Sequence, residues 1–351
     1  MTVKTIYLII ILKKERERMK KEISTLIPAY RKDYFISAIN SVLRQTFKPS
    51  YIVVSDDSPH GEICKIIQDE DWFSTLNNQN IILQVFTDPR KNSAYFNLMH
   101  ILDVWNEKTE FFHLLFDDDY IFPSFYDKHL ALFQKSDLMV SVSRRWIGDA
   151  GGNVVGFNSI PSFVDDSALN KMIIEPASLF KSVVPVSYNW LGEFSNAVFH
   201  KSSISLMKSD VLGGYSFYGL IDIGIFLVLG GQRKLAFINE HLGFFRKHGN
   251  QNSGNLDSLD FLAAHLAWIP IAIGSEKLGL IDKVQKNNAI SHIRNLVESR
   301  YEGTSFNKVV KKFFRQPSSS NNIIEPLDEN NFLRYWEIFV RQMKTEGSFK
   351  L

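Results

Sequence analysis

The segment at residues 111–123 constrains the fold of this chain more than any other part of the sequence. Its first six residues, Phe-Phe-His-Leu-Leu-Phe, are mostly aromatic or aliphatic, and Asp117, Asp118 and Asp119 follow directly. An apolar run of this length is typical of a buried strand in a parallel sheet. Ligands of open α/β sheets bind at the carboxyl ends of the strands, so the three carboxylates are predicted at a binding edge.

Three adjacent carboxylates repel one another and need protons, basic partners or a cation to neutralise them. Carboxylate oxygens are suitable ligands for Mg²⁺ or Mn²⁺, and these ions in turn suit a substrate that carries phosphate. A solvated acidic loop without any ligand explains the same run and stays open at this point.

Strands and helices alternate on both sides of this segment. The apolar pattern predicts strands at 23–27, 51–54, 81–86 and 111–116, and helices at 34–46 and 94–105. This alternation indicates an α/β fold with a mostly parallel sheet and right-handed crossovers. Asp56 and Asp57 end the second strand, so two strand ends that carry aspartates are expected in one crevice.

Composition limits the class of protein. A chain of 351 residues with 45% hydrophobic and 22% charged residues is expected to be folded over most of its length, as one large domain with an appendage. The net charge of +2 gives no argument for nucleic acid as a partner. Cys64 is the single cysteine, which excludes an internal disulfide and fits a reducing, cytoplasmic location.

The first residues are predicted to form an irregular leader, residues 1–20. Their apolar run, 6–12, is too short to span a membrane, and the basic residues follow it, whereas in a signal peptide they precede it. Met19 is an alternative start.

Four segments, taken in order, resemble the nucleotide-binding half of a family 2 glycosyltransferase. They are Ile27-Pro28-Ala29-Tyr30, Ser41-Val42-Leu43-Arg44-Gln45-Thr46-Phe47, Val53-Val54-Ser55-Asp56-Asp57-Ser58 and the acidic run with its following residues to Pro123. The resemblance implies the GT-A fold, a Rossmann-like sheet flanked by helices, over residues 21–255. It also implies a nucleotide-binding half at 21–125, an acceptor half at 126–255 and a helical C-terminal region at 256–351.

The resemblance implies site residues as well. Asp57 would accept a hydrogen bond from the base, with Asp56 beside it, and the acidic run would be the family's DXD motif. Asp118 and Asp119 would hold Mn²⁺ or Mg²⁺ against the donor diphosphate. The other implied nucleotide contacts are Pro28, Ala29, Tyr30, Asn97 and Asp117. Arg31 replaces the family's usual asparagine, and Ser55 precedes the acidic pair, which departs from the family pattern.

The second half supplies candidates for the chemistry. Residues 189–201 are predicted to form an acceptor-side strand. Asp222 opens the apolar helical run 220–229, where the resemblance implies a general base; an N-cap role explains the same residue. Ile221 stands where the family has a first acid, so half of that motif is present, and Glu193 is the next acid considered as the base.

Basic residues follow the predicted strands at 235–238 and from 242 onward. Arg246, Lys247 and His248 can neutralise phosphate, and His248 can also bind a cation. The resemblance implies nucleotide contacts for Arg246 and His248.

The C-terminal region is predicted to be helical at 257–274, 283–300, 305–315 and 329–345. The 305–315 helix interleaves aromatic and basic residues, so it could lie on an anionic membrane or pack its apolar face against the protein.

The sequence therefore predicts an inverting, metal-dependent, hexosyltransferase-like enzyme. It would transfer a sugar from a nucleotide-sugar donor to a hydroxyl of a glycan, which is lipid-linked in many such enzymes, in the synthesis of a bacterial surface polysaccharide such as O-antigen or capsule. A nucleotidyltransferase is an alternative, although the loop after the first strand lacks the expected glycine. An inactive scaffold that binds nucleotide sugar is the other alternative, supported by the halved motif at Asp222.

Overall fold

The computed structural model describes residues 22–87, 93–134, 136–165, 169–249, 258–314 and 327–346. The predicted leader at 1–20, the loop at 317–322 and Arg315 lie outside the described residues.

The described chain alternates strands and helices, as predicted for its first half. The strands are β1 (Ile23–Ala29), β2 (Tyr51–Asp56), β3 (Ile82–Thr87), β4 (Phe111–Leu114), β5 (Tyr120–Ile121), β6 (Leu138–Gly148), β7 (Val154–Phe157), β8 (Lys171–Ile174), β9 (Ala197–His200), β10 (Val211–Leu212), β11 (Tyr215–Ser216) and β12 (Lys234–Arg246). The helices are α1 (Lys32–Leu43), α2 (Glu62–Asp69), α3 (Trp72–Asn77), α4 (Ala94–Trp105), α5 (Phe125–Phe133), α6 (Ser162–Asp165), α7 (Pro176–Val183), α8 (Ile204–Met207), α9 (Ile221–Gln232), α10 (Leu259–Leu266), α11 (Trp268–Lys277), α12 (Lys283–Tyr301), α13 (Asn307–Phe314) and α14 (Glu329–Glu346).

The main sheet has the strand order β3-β2-β1-β4-β9-β6-β12-β5. The first four strands are parallel to one another, and β9 is antiparallel to both β4 and β6. β6 and β12 are parallel, with register shifts along β12, while β7 pairs with the edge of β6. The predicted α/β fold with a mostly parallel sheet is confirmed.

The central strand β1 is buried on both faces of the sheet. All seven of its residues are buried, as expected for a strand covered by helices on each side. Phe35, Ile39 and Val42 of α1 pack into the same core as Ile23 and Ile27. The apolar face predicted for this helix is therefore the face that packs.

The predicted strand at 189–201 is wrong over most of its length. Only Ala197–His200 form β9, because Gly192 has a φ of +103° and Phe194–Asn196 form a single 3₁₀ turn. The predicted strands at 235–238 and from 242 onward are one continuous strand, β12.

The contacts divide the chain into two compact units. The first comprises residues 1–173, 191–208 and 233–247, and includes the main sheet. The second comprises 174–190, 209–232 and 248–351. Within the second unit, the Trp336 indole N–H donates to the Ser216 carbonyl over 2.7 Å, and Lys344 pairs with Asp210 at 2.7 Å. These bonds attach the C-terminal helix α14 to the β10–β11 hairpin.

Helix α13 packs its apolar face within the second unit. Val309, Val310, Phe313 and Phe314 are buried, and the Phe313 ring centroid lies 5.3 Å from that of Phe332 on α14. The packing alternative for the 305–315 helix is therefore confirmed for its apolar face. Among the described residues, no helix is long and apolar enough to cross a membrane.

Candidate active site

The carboxyl ends of β1, β2 and β4 lie at one edge of the main sheet. Ala29 is opposite Asp56 in the β1–β2 pair, and Leu26 is opposite Leu114 in the β1–β4 pair. The Asp57 amide donates to the Ala29 carbonyl over 2.8 Å. The convergence predicted from the two acidic strand ends is therefore present.

Asp117 ties the end of β4 to the end of β1. Its Oδ2 accepts hydrogen bonds from the amide nitrogens of Tyr30 at 2.6 Å and Arg31 at 2.5 Å. Burial, with the charge of Asp118 next, raises the pKa of Asp117 to about 7, although the two amides oppose this shift. Asp117 thus fixes the backbone at Tyr30 and Arg31, directly after β1. A direct contact between Asp117 and the nucleotide stays a prediction.

Asp119 is buried with half of its carboxylate unpaired. Oδ1 accepts a hydrogen bond from the Arg246 amide at 3.0 Å. Oδ2 makes no hydrogen bond of normal geometry with the described residues, although the nearby Ser195 hydroxyl counteracts the pKa shift. Burial and the charge of Asp118 raise the pKa of Asp119 well above its usual range. An unpaired buried oxygen is costly, which favours a proton or a cation at this atom.

The Arg246 side chain holds the backbone of the acidic run. Its Nε donates to the Asp118 carbonyl at 3.0 Å and its Nη1 to the Ala150 carbonyl at 3.1 Å. The guanidinium also lies 4.5 Å from the centre of the Tyr34 ring. Arg246 is 5% exposed, so these contacts position the acidic run, and the predicted phosphate contact stays a prediction.

The donor set fits a divalent cation that also binds substrate oxygens. Among the described residues, no group of three or more His, Cys, Asp or Glu side chains is arranged to hold a metal ion. Mg²⁺ sites often use one or two carboxylates and complete their coordination with phosphates and water. The half-buried Asp118 and the unpaired Oδ2 of Asp119 offer such a pair.

The Asp56 side chain anchors the loop that follows β2. The Asp56 carboxylate accepts hydrogen bonds from the Ser58 amide at 2.8 Å, the Ser58 hydroxyl at 2.5 Å and the Cys64 amide at 3.0 Å. These three donors attach the loop after β2 to α2. Asp56 is therefore engaged in structure, and the predicted contact of Asp57 with the nucleotide base stays a prediction.

Asn97 bridges the ends of β1 and β2 from helix α4. Its Nδ2 lies 3.3 Å from the Ser55 carbonyl and 3.5 Å from the Ala29 carbonyl, and its buried Oδ1 has no partner in the described part of the chain. Pro28 and Ala29 are buried residues of β1, whereas Tyr30 is 42% exposed. Of these three predicted nucleotide contacts, Tyr30 alone presents a large exposed side chain.

Sequence reasoning missed Arg145, which lies in the buried strand β6. Its guanidinium forms a two-point ion pair with Glu193, and Nη2 to Oε1 is 2.7 Å. The negative charge of Glu193 contributes to the raised pKa of Asp119. The one available signal was an arginine within a run of buried strand residues, which suggests an acidic partner but does not identify it.

Asp222 and His248 belong to the second unit. Asp222 is the second residue of α9, which begins at Ile221, so the N-cap interpretation is wrong. A carboxylate in the first turn still interacts favourably with the helix dipole. His248 follows β12 by two residues. The predicted roles of both residues stay predictions.

The strand order defines an α/β protein, and the match to solved structures identifies its fold as GT-A. The structure is similar to that of S. aureus TarS residues 1–349 in complex with UDP-GlcNAc, with a TM-score of 0.50 and 13% identity over 91% of this chain and 92% of that chain. A longer TarS chain matches with a TM-score of 0.49 and 12% identity over 86% of this chain and 56% of that chain. The sequence matches no protein-family model and no curated protein. The resemblance seen in the sequence is thus confirmed at the level of the fold.

Proposed function

We propose that this protein is a glycosyltransferase that moves a sugar from a nucleotide-sugar donor to a hydroxyl group of a glycan. We further propose that transfer inverts the anomeric centre and that the glycan, free or lipid-linked, belongs to a bacterial surface polysaccharide such as O-antigen or capsule. The observation that carries the proposal is the meeting of Tyr30, Asp57 and the acidic run at one edge of the sheet. The fold shared with TarS, which was crystallised with UDP-GlcNAc, supports the same class of donor.

The donor side of the proposal assigns roles to residues of the first unit. Asp57 accepts a hydrogen bond from the base, Tyr30 lines the ribose and Asn97 contacts the nucleotide. Asp118 and Asp119 hold Mn²⁺ or Mg²⁺, which when bound stabilises the charge of the leaving diphosphate. Arg246 keeps the acidic run in position through its bonds to Asp118 and Asp119.

The acceptor side of the proposal rests on Asp222. The acceptor hydroxyl oxygen forms a bond to the anomeric carbon while the bond from that carbon to the diphosphate breaks, and a base must take the hydroxyl proton. Asp222 is half-buried in the first turn of an otherwise apolar helix, which is suitable for a carboxylate base.

The test uses the full chain, a panel of nucleotide sugars and Mn²⁺, with and without candidate glycans. Release of nucleoside diphosphate that increases with acceptor supports transfer. Release of pyrophosphate identifies a nucleotidyltransferase, and binding of nucleotide sugar without any product identifies a scaffold. Either of these two results overturns the proposal.

We also propose a cytoplasmic location with peripheral contact at the inner membrane. Because the apolar face of α13 is buried, this contact would be made by its basic side chains, Lys308, Lys311 and Lys312.

A further inference from the structure

Arg145 and Glu193 form a largely buried two-point ion pair. Arg145 is 5% exposed and binds both carboxylate oxygens of Glu193, which is 22% exposed. The Arg145 guanidinium also lies 5.6 Å from the centre of the Phe245 ring. A two-point pair of this kind fixes the plane of the carboxylate.

The backbone around Glu193 is built to hold this pair. Gly192 has a φ of +103°, and a Cβ atom there would lie 2.6 Å from Arg145 Cζ and 2.7 Å from Asn196 Oδ1. The Asn196 Nδ2 donates to the Leu191 carbonyl at 2.9 Å and also to the Ser143 carbonyl of β6. Replacing a buried ion pair by apolar residues often leaves the stability of a protein unchanged or raises it. Stability alone therefore does not account for the presence of this pair.

The same segment contacts the strand that carries the acidic run. The Phe116 amide donates to the Ser195 hydroxyl at 3.1 Å, and His113 Nε2 donates to the Ser195 carbonyl at 3.0 Å. Glu193 therefore lies beside the acidic run. It is not part of a three-residue metal cluster, since the described residues contain none.

In a nucleotide sugar, the sugar is bonded directly to the terminal phosphate of the diphosphate. If Asp118 and Asp119 hold the diphosphate as proposed, the sugar lies next to them, and a side chain beside the acidic run can reach it. A carboxylate has about four acceptor positions, of which Arg145 occupies two. The remaining positions of Glu193 can accept hydrogen bonds from hydroxyl groups.

We infer that Glu193 binds hydroxyl groups of the donor sugar and that Arg145 is its positioning residue. The inference rests on the proposed function and extends it to the class of sugar. A fixed negative charge at this position favours a neutral hexose or N-acetylhexosamine and disfavours a hexuronic acid, whose carboxylate it would repel.

The test measures two affinities by calorimetry in Mn²⁺: that of the nucleotide sugar accepted by the parent and that of its nucleoside diphosphate. Glu193→Gln keeps the shape of the side chain but removes its charge, and it should weaken binding of the nucleotide sugar about tenfold, which corresponds to about 1.4 kcal/mol. Its affinity for the nucleoside diphosphate should not change. Arg145→Lys, which loses the two-point geometry, should show the same selective loss.

The control is Asp57→Asn, which should weaken both ligands equally because both carry the base. Equal weakening of the two ligands by Glu193→Gln overturns the inference, as does no weakening of either. Unchanged affinities with lost turnover would instead identify Glu193 as the base and also overturn it. A parent protein that binds neither ligand refutes the proposed function itself, which distinguishes the two failures.

Discussion

The three consecutive aspartates of the acidic run have three different environments. Asp117 is bound by the Tyr30 and Arg31 amides, Asp118 is half-buried, and only one oxygen of Asp119 makes a hydrogen bond of normal geometry with the described residues. The charge of Asp118 raises the pKa of both neighbours. Asp118 is thus the residue whose removal most directly relieves repulsion in the run.

Asp118→Ala is expected to separate cation binding from folding. The variant should lose the thermal stabilisation that nucleotide gives in Mn²⁺, because stabilisation by a ligand depends on its affinity for the folded protein. Its melting temperature without ligand should be unchanged or higher, since a like-charge repulsion is gone. Differential scanning fluorimetry with and without chelator measures both; equal nucleotide affinity in the two conditions for the parent would contradict the proposed cation.

Asp222→Asn is expected to lower turnover by about a hundredfold or more, because a base that accepts a proton during transfer acts mainly in the transition state. Affinity for the nucleotide should not change. Asn keeps the shape of the side chain and, at the second position of α9, leaves the helix start intact. Calorimetry and turnover with acceptor are measured on the same preparations; retained turnover assigns the base elsewhere.

His113 is expected to make the fold sensitive to acid. The Tyr126 hydroxyl donates to its Nδ1 and its Nε2 donates to the Ser195 carbonyl, so the buried ring is neutral, and burial lowers its pKa to about 3. The unfolded chain binds a proton near the ordinary value of 6.5, so stability falls as pH drops from there towards 3. Protonation of His113 in the unfolded chain therefore lowers the free energy of unfolding at about pH 5 by about 2 kcal/mol relative to neutral pH.

The measurement is the free energy of unfolding of the parent and of His113→Gln at about pH 7.5 and about pH 5. At the higher pH the variant should be less stable than the parent. The difference between their free energies of unfolding should shrink by about 2 kcal/mol at the lower pH, because only the parent loses stability through His113. A difference that does not depend on pH would show that His113 is not buried in its neutral form.

At single positions, the sequence indicates contacts between residues that are close together in the chain. The bonds of Asp56 to Ser58 and Cys64 join residues at most eight positions apart, and short polar side chains directly after a strand are typical of such turns. The Arg145–Glu193 pair joins residues 48 apart in the chain. Nothing in the sequence near either residue identifies the other, because the pairing depends on how β6 and the 191–196 segment meet.

At the level of elements, periodicity predicted where helices lie more reliably than where they end, since the helix predicted at 34–46 is α1, Lys32–Leu43. The helix predicted at 94–105 has those bounds as α4. The helix predicted at 257–274 is instead two helices, α10 and α11, which meet at Ala267. Pro270 lacks an amide hydrogen and fits only the first turn of a helix, so a new helix begins before it. The apolar pattern continues through Pro270, so the pattern alone does not show that two helices meet at Ala267.

Gly274→Ala is expected to reverse the usual preference for alanine in a helix. Alanine normally stabilises a helix interior by about 1 kcal/mol relative to glycine. A Cβ at Gly274 of α11 would lie 2.4 Å from the Leu212 carbonyl oxygen of β10, which is backbone and cannot turn away. The free energy of unfolding should therefore fall by about 2 kcal/mol.

The matched control is Gly156→Ala in β7, where an added Cβ meets no atom within 4 Å. This variant should unfold within about 0.5 kcal/mol of the parent in urea. If Gly274→Ala were as stable as the control or more stable, the close approach of α11 and the β10–β11 turn would not exist in solution.

At the scale of the whole molecule, the two compact units are not contiguous in sequence. Segments 174–190 and 209–232 belong to the second unit with the C-terminal helices, and 233–247 returns to the first. Sequence patterns place elements along the chain, but the assignment of an element to a unit depends on long-range contacts. The α/β alternation of the first half could therefore be predicted, whereas the composition of the units could not.

The whole protein is expected to bind anionic vesicles through charge alone. The apolar side chains of α13 are buried, while Lys308 and Lys311 are exposed and Lys312 is half-buried. Each basic residue near an anionic surface contributes about 1 kcal/mol, so replacing the three lysines by Gln should weaken sedimentation with phosphatidylserine vesicles about a hundredfold. Binding of the parent should also fall steeply with added salt, since surface charges are screened.

The control variant carries Gln in place of three exposed lysines elsewhere in the chain, Lys65, Lys201 and Lys283. Its net charge therefore changes by the same amount as that of the α13 variant. If both triple variants lose binding to the same degree, overall charge and not α13 holds the protein to the vesicle. Sedimentation of the parent with uncharged phosphatidylcholine vesicles would contradict binding through charge alone, because inserted apolar side chains would then have to hold the protein there. A parent that sediments with neither vesicle would refute the proposed peripheral contact while leaving the donor chemistry of the first unit unaffected.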